Sequence, residues 1–191
     1  SLLLAMAFAV CKNPENTYIN NINGTLNFLE IIREINKKII FIYSSSDKAY
    51  GEVGLKSYRE DTCLNSVFPY DVSKSCADLI CQSYSKTFNL KVGILRCGNL
   101  YGPGDFNNKR LIPECIISNL NKKVFKIRSN GKLVRDYLFI DDAVNAYYLT
   151  MKILINKKEN LSSHLIEGIN TSGVLKKLKN TTFPFNYGDI K

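Results

Sequence analysis

Tyr70 and Lys74 stand four residues apart in Tyr70-Asp71-Val72-Ser73-Lys74, which begins 24 residues beyond Ser46, the last of the hydroxyl run Ser44-Ser45-Ser46. Residues at i and i+4 share one face of a helix. An ammonium beside a phenol lowers the phenol's pKa, and a serine hydroxyl can hydrogen-bond the same reacting oxygen. These are the parts that take a proton from an alcohol while hydride leaves its carbon, so the pattern points to redox chemistry on a hydroxylated substrate. Tyr-x-x-x-Lys by itself is a weak signal in a chain with 11 tyrosines and 26 basic residues. A phenol opening a helix and a solvated lysine give the same spacing.

The elements that must hold these side chains follow from periodicity. Between Glu15 and Ile35 the residues Ile19, Ile22, Leu26, Leu29, Ile32 and Ile35 recur at helical spacing, and Pro14 suits a first turn. The β-branched run Ile39–Tyr43 predicts a parallel strand covered on both faces, followed by a loop at Ser44–Ser46. A second long helix is predicted over Val72–Phe88, with Tyr70 at its start, and a second buried strand over Val92–Leu95, ending at Arg96. Leu111–Leu120 reads as a helix, and Val124–Ile127 and Tyr137–Ile140 as short strands. Asp141 is placed to cap a helix running to about Ile155. Beyond Asn156 the pattern weakens, and Phe183–Lys191 is strand-like or turn-rich. Alternating strands and helices predict an α/β sheet with right-handed crossovers and ligands at the carboxyl ends of the strands. Ser44–Ser46 and Cys97–Asn99 fall at such ends.

Length and composition narrow the class. At 191 residues the chain is one domain or a large piece of a bigger protein, and 45% hydrophobic with 23% charged residues is ordinary for a globular fold. The net charge of +9 is spread along the chain, with no arginine-rich stripe and no aromatic-basic RNA motif. It is read as a solvated surface that attracts anionic phosphate ligands, and no nucleic-acid partner is expected. The six cysteines contain no C-x-x-C pair and there is one histidine, His164, so neither a metal site nor Ser-His or Cys-His hydrolysis is expected. Cys76, Cys97 and Cys115 are expected to be buried reduced thiols, as in a cytoplasmic protein. The apolar start, Ser1–Val10, lacks a basic lead and is too short to span a bilayer. It is read as a buried strand with its loop, and no membrane partner is expected.

Five motifs in order over residues 13–150 are shared with a known family. Asn21-Ile22-Asn23-Gly24-Thr25 resembles its N-x-x-G-T helix motif, and Ser44-Ser45-Ser46-Asp47-Lys48-Ala49-Tyr50-Gly51 its active-site segment after a strand. Pro69-Tyr70 through Lys74 matches P-Y-x-x-S-K, and Arg96 through Gly104 resembles the R-x-x-N-x-Y-G-P-G substrate loop. Arg135-Asp136-Tyr137 with Asp141-Asp142 resembles R-D-Y-x-x-V-x-D. On these residues the chain is identified as a member of the extended short-chain dehydrogenase/reductase family, in its sugar-nucleotide epimerase/dehydratase branch. The Asp47-Lys48 pair and Arg110-Leu111-Ile112-Pro113-Glu114-Cys115 are most similar to CDP-glucose 4,6-dehydratases. One departure is large. The glycine turn that holds the cofactor pyrophosphate in this family is not found, and by resemblance Ser1 falls near the end of the family's fourth strand.

The resemblance implies an α/β Rossmann-type parallel sheet lacking its first βαβ half, with a partial C-terminal substrate-binding region. Residues 1–100 would hold the remainder of the NAD-binding domain, and residues 101–191 a mixed substrate-binding region with returning Rossmann elements. Within the latter, residues 157–182 do not track the family. It implies NAD as cofactor, contacted by Asn21, Ser44, Ser45, Tyr70 and Lys74. Tyr70 would take the proton of the sugar 4-hydroxyl, Ser46 would bond the same oxygen, and Lys74 would keep Tyr70 acidic. Lys48 or Asp47 would remove the C5 proton while the other protonates the leaving 6-hydroxyl. Asn99, Arg110 and Arg135 would bind the nucleotide-sugar substrate, and helices near 15–35 and 72–88 would form a homodimer. A 4-epimerase, or a non-catalytic fragment that binds a nucleotide sugar, stays open beside the dehydratase. A solvated loop pair at Asp47-Lys48, a buried structural amide at Asn21 and a turn residue at Asn99 are the plainer readings of those positions.

Overall fold

A computed structural model of the chain describes residues 13–52, 58–127, 129–131, 135–156 and 165–166. Asn13 caps the first helix, its side chain accepting from the Asn16 amide at 3.2 Å, and Pro14 sits where no amide donor is needed. Helix α1 (Pro14–Tyr18) runs through a π-helical turn (Ile19–Asn23) into α2 (Gly24–Ile35). The helix expected over Glu15–Ile35 is therefore present with one widened turn, which buries the polar Asn21. Apolar periodicity carries no mark of such a turn.

Strand β1 (Ile40–Ser46) ends in a single 3-10 turn (Asp47–Tyr50), and α3 (Pro69–Phe88) leads to β2 (Lys91–Cys97). The two strands pair in parallel from Ile40↔Lys91 to Ser46↔Cys97. The serines expected in a loop are thus the last residues of β1, because pairing with Leu95–Cys97 continues the ladder to its tip. Helix α3 starts three residues earlier than expected, at Pro69, so Tyr70 lies in its first turn.

The remaining elements are short. They are β3 (Asn99–Tyr101), α4 (Leu111–Leu120), β4 (Tyr137–Phe139), α5 (Ile140–Asn156) and β5 (Leu165–Ile166). The main sheet has the order β1-β2-β5, with both pairs parallel, and β3 and β4 form a separate parallel pair. Val124–Ile127 is not a strand; Val124 and Ile127 are exposed and the segment joins no ladder. Asp141 does not cap α5, which starts at Ile140. Asp141 and Asp142 lie in its first turn, where carboxylates favour the helix N-terminus. The reading of residues 183–191 falls outside the described residues.

Helices cover both faces of β1 and β2. On one face α2 and α3 bring Leu29, Ile32, Ala77 and Cys81 against Tyr43, Val92 and Ile94. On the other, Ala143 and Ala146 of α5 pack with Leu95, Cys97 and Leu138. Each fully buried Leu or Ile contributes roughly 1.5–3 kcal/mol. Alternation along a strand decides which face each side chain meets. Tyr43 and Ser45 meet α3, whereas Ile42 meets α5. Gly93 permits the close approach of α5, since a Cβ there would lie 2.4 Å from Thr150 Cγ2. No helix among the described residues is long and apolar enough to cross a membrane.

Candidate functional site

The tips of β1 and β2 open into a cleft of about 640 Å³. Its floor is Ser44–Ser46 and Cys97, and its walls are the 3-10 turn, the start of α3 and the loop from Gly98 to Asp105. Nine residues expected at the site line this one space: Ser44, Ser45, Ser46, Asp47, Lys48, Tyr70, Asn99, Arg110 and Arg135. Lys74 and Asn21 lie behind it. This is the position at which an open parallel sheet presents ligands.

Ser46 caps the 3-10 turn. Its Oγ accepts from the Lys48 amide at 3.3 Å and donates to Asp47 Oδ1 at 3.0 Å. Asp47 is only 9% exposed, whereas Lys48 is half-buried on the cleft wall. The turn ends at Gly51, whose φ is +71° and where a Cβ would lie 2.0 Å from the Asn65 carbonyl oxygen. Only glycine lets the chain fold back there.

Tyr70 and Lys74 share the inward side of α3, as the spacing predicts, but their electrostatics differ from expectation. Burial pushes the Tyr70 phenol up to about 12, Asp71 and Asp47 add to the rise, and Arg110 opposes it. Lys74 is not among the groups that lower it; its Nζ lies 6.0 Å from the Tyr70 ring centroid. That amine runs beneath β1 and donates to the Ser44 carbonyl at 2.8 Å. Burial brings it down to about 8. The loss of water around both groups outweighs what either does to the other.

Three expected cofactor contacts turn out to be tied into the scaffold. Ser45 Oγ donates to Asp78 Oδ2 at 2.7 Å, so its hydroxyl serves the α3 face rather than the cleft. Ser44 lies close to the Tyr147 phenol of α5, whose pKa it helps to lower against the rise that burial brings. Asn21 is buried behind α3 and its Nδ2 donates to Ser73 Oγ at 2.8 Å, while Ser73 donates to the Tyr70 carbonyl at 2.7 Å. Asn21 therefore steadies the turn that carries Tyr70. The substrate-side residues also have internal work. Arg110 Nη1 donates to the Leu100 carbonyl at 3.0 Å and to Asp105 at 2.9 Å, and Asn99 Nδ2 donates to the Asp136 carbonyl at 3.2 Å. Arg135 is exposed at the rim.

Several residues that matter here were missed in the sequence. Asp71, Tyr58, Phe68 and Glu52 also line the cleft. Arg96, expected within a substrate loop, is buried and turned away, gripping Asp78 through Nε and Nη2 at 2.8 and 2.9 Å and Tyr50 Oη through Nη1 at 3.0 Å. Burial works against its charge, but Asp78 and Tyr50 outweigh that and raise its pKa. A signal was available: an arginine ending a buried strand must have a buried partner. Cys97 is buried and pushed up to about 11 by desolvation, Cys76 is half-buried, and Cys115 is exposed, against the expectation of burial. Cys115 lies on the outer side of a helix whose buried contact is Pro113.

Comparison with known proteins agrees with this geometry. The model of the NAD dependent epimerase/dehydratase family matches residues 8–161. The dTDP-D-glucose 4,6-dehydratase of Dictyostelium discoideum is 39% identical over 145 residues, covering 70% of this chain and 33% of that protein. A probable dTDP-glucose 4,6-dehydratase of Sinorhizobium fredii is 33% identical, covering 69% and 40%. The chain thus spans a third to two fifths of the length of these curated relatives. Among solved structures, a dTDP-glucose 4,6-dehydratase from Bacillus anthracis in complex with NAD is 29% identical, with a TM-score of 0.66 over 86% of this chain and 54% of that one. A UDP-glucuronic acid 4-epimerase from Bacillus cereus, in complex with UDP-glucuronic acid and NAD, is 26% identical, with a TM-score of 0.63 over 79% and 46%. With most of its described fold inside the matched range and Ser46, Tyr70 and Lys74 gathered at the strand tips, the chain belongs to the NAD-dependent epimerase/dehydratase family.

Proposed function

We propose that the full-length protein is an NAD-dependent nucleotide-sugar 4,6-dehydratase acting on a CDP-glucose-like substrate. The observation that carries this reading is the cleft at the strand tips that Ser46, Asp47, Lys48 and Tyr70 line together with Asn99, Arg110 and Arg135. Acid-base groups and phosphate-binding groups line the same space, as a charged nucleotide sugar requires.

The donor set fits the nicotinamide end of NAD. Lys74 is a buried ammonium that makes one hydrogen bond among the described residues, to Ser44, and so has donors left for ribose hydroxyls. When bound, NAD supplies the acceptor for hydride from C4 and its return to C6. Tyr70 takes the proton of the 4-hydroxyl, and Ser46 hydrogen-bonds that oxygen. Lys48, on the open wall, removes the C5 proton that the 4-keto group has acidified. The Asp47 carboxyl gives its proton to the departing 6-hydroxyl, which leaves as water, and the carboxylate so formed is the group that accepts from Ser46 Oγ. Arg110 and Arg135 draw the diphosphate to the rim and Asn99 bonds it.

Lys48 supports the CDP-glucose assignment within the branch, since thymidine-diphosphate-sugar dehydratases usually carry a glutamate at that position. A 4-epimerase is the second reading, supported by the similarity to the Bacillus cereus epimerase, which is nearly as strong as that to the dehydratase. Incubating the full-length protein with NAD+ and CDP-, dTDP- or UDP-glucose, followed by mass spectrometry of the sugar and chromatography that resolves its epimers, separates them. A product lighter by one water, fastest from CDP-glucose, is expected. An isomer of unchanged mass would establish the epimerase, and an unaltered sugar would leave a nucleotide-sugar-binding protein.

A further inference from the structure

We propose that Tyr43 is a positioning residue for Lys74, its ring face holding the ammonium against the Ser44 carbonyl beneath the cleft. Lys74 is 5% exposed and Tyr43 is 7% exposed, and Nζ lies 5.2 Å from the Tyr43 ring centroid. No carboxylate lies within ion-pair distance of Lys74 among the described residues. Asp78, one turn further along α3, is taken by Arg96, Ser45 and Gln82. A buried ammonium without an anion is costly. The negative face of an aromatic ring offsets that cost where water is excluded.

The other groups facing this amine are few. Tyr70 and Cys81 come from α3 and Tyr43 from β1, and burial raises the pKa of all three, so they stand neutral. From α2 comes Thr25, close to the Tyr43 phenol, which donates its own proton to the Asn21 carbonyl at 2.7 Å. The Tyr43 hydroxyl is the one buried side-chain polar atom without a hydrogen-bond partner among the described residues. A tyrosine whose hydroxyl is unused contributes through its ring. Packing alone would be served equally by leucine; holding the ammonium requires an aromatic.

The functional meaning of this role rests on the reading of Lys74 as the amine beside Tyr70. Its test needs neither sugar nor cofactor, so failure here leaves the redox reading standing. Lysine Cε would be labelled with carbon-13 in this chain, the Lys74 resonance assigned by its disappearance in Lys74→Arg, and its titration followed by NMR. In the wild type the Lys74 Hε protons should lie upfield of the other lysines through the ring current, with a midpoint of about 8. Tyr43→Phe should keep both features and melt no lower than the wild type, having lost an unpaired hydroxyl. Tyr43→Leu should lose the upfield shift, and its midpoint should fall by about half a pH unit or more. A wild-type Lys74 resonance among those of the exposed lysines would overturn the proposal, whether or not the leucine variant folds. So would a leucine variant titrating at the wild-type midpoint, or a phenylalanine variant falling as far as leucine.

Discussion

Asp71 follows Tyr70 on the cleft wall and raises its pKa, so the phenol that is to act as a base carries a neighbouring anion. Removing that anion stabilises the phenolate. In Asp71→Asn the acid limb of the pH–rate profile of the full-length protein should therefore move to lower pH, and a limb that stays in place would take Tyr70 out of that ionisation. Burial also raises the Asp71 carboxyl, with Lys48 opposing and Asp47 and Glu52 adding to it, which puts both Asp71 and Lys48 in the same charged corner. Lys48→Ala should still oxidise C4 and accumulate reduced cofactor, while water loss falls by two orders of magnitude or more, roughly the contribution of one acid-base group. Stopped-flow absorbance together with product analysis reads both steps. The types and spacing of Ser46, Asp47, Lys48, Tyr70 and Lys74 were legible because the i, i+4 rule and the tip of a strand fix their neighbourhood. The pKa directions were not, since they depend on how much water each group loses, and spacing carries no measure of burial.

The elements hold these side chains through one buried polar strut. Asp78 on α3 joins Arg96 at the tip of β2, Ser45 at the tip of β1, and through Arg96 the phenol of Tyr50 in the 3-10 turn. Asp78→Ala leaves a guanidinium buried without its anion. Unfolding in urea should show a loss of about 3–5 kcal/mol, and a loss under about 1 kcal/mol would mean that the strut carries little. The long elements were legible from periodicity, as at α3 and β2. The short ones were not: β3 has three residues and β5 two, too few for a repeat to show. The π turn at Ile19–Asn23 and the 3-10 turn at Asp47–Tyr50 depend on hydrogen-bond register, which residue types do not encode.

Among the described residues, one flank carries a run of exposed apolar side chains. Ile19 on the π turn and Phe28, Ile31 and Ile35 on α2 are exposed, as is Leu79 on α3. The homodimer expected through these helices should appear in sedimentation velocity, and Phe28→Glu with Ile31→Glu should shift the protein to monomer; a monomeric wild type would remove the interface. The alternation of strands and helices made the parallel sheet legible, and the order of the five motifs put both strand tips at the site. Nothing in that order located Arg96 away from the cleft, because a motif records residue types and the inward turn of a strand decides which face each one meets. The most direct measurement is turnover of CDP-glucose by the full-length protein with NAD+, wild type against Tyr70→Phe, read as the 4-keto-6-deoxy sugar. The account predicts product from the wild type and a loss of at least about a hundredfold in the phenylalanine variant. Wild-type turnover by Tyr70→Phe, or a wild type that leaves CDP-, dTDP- and UDP-glucose all unchanged, would contradict it.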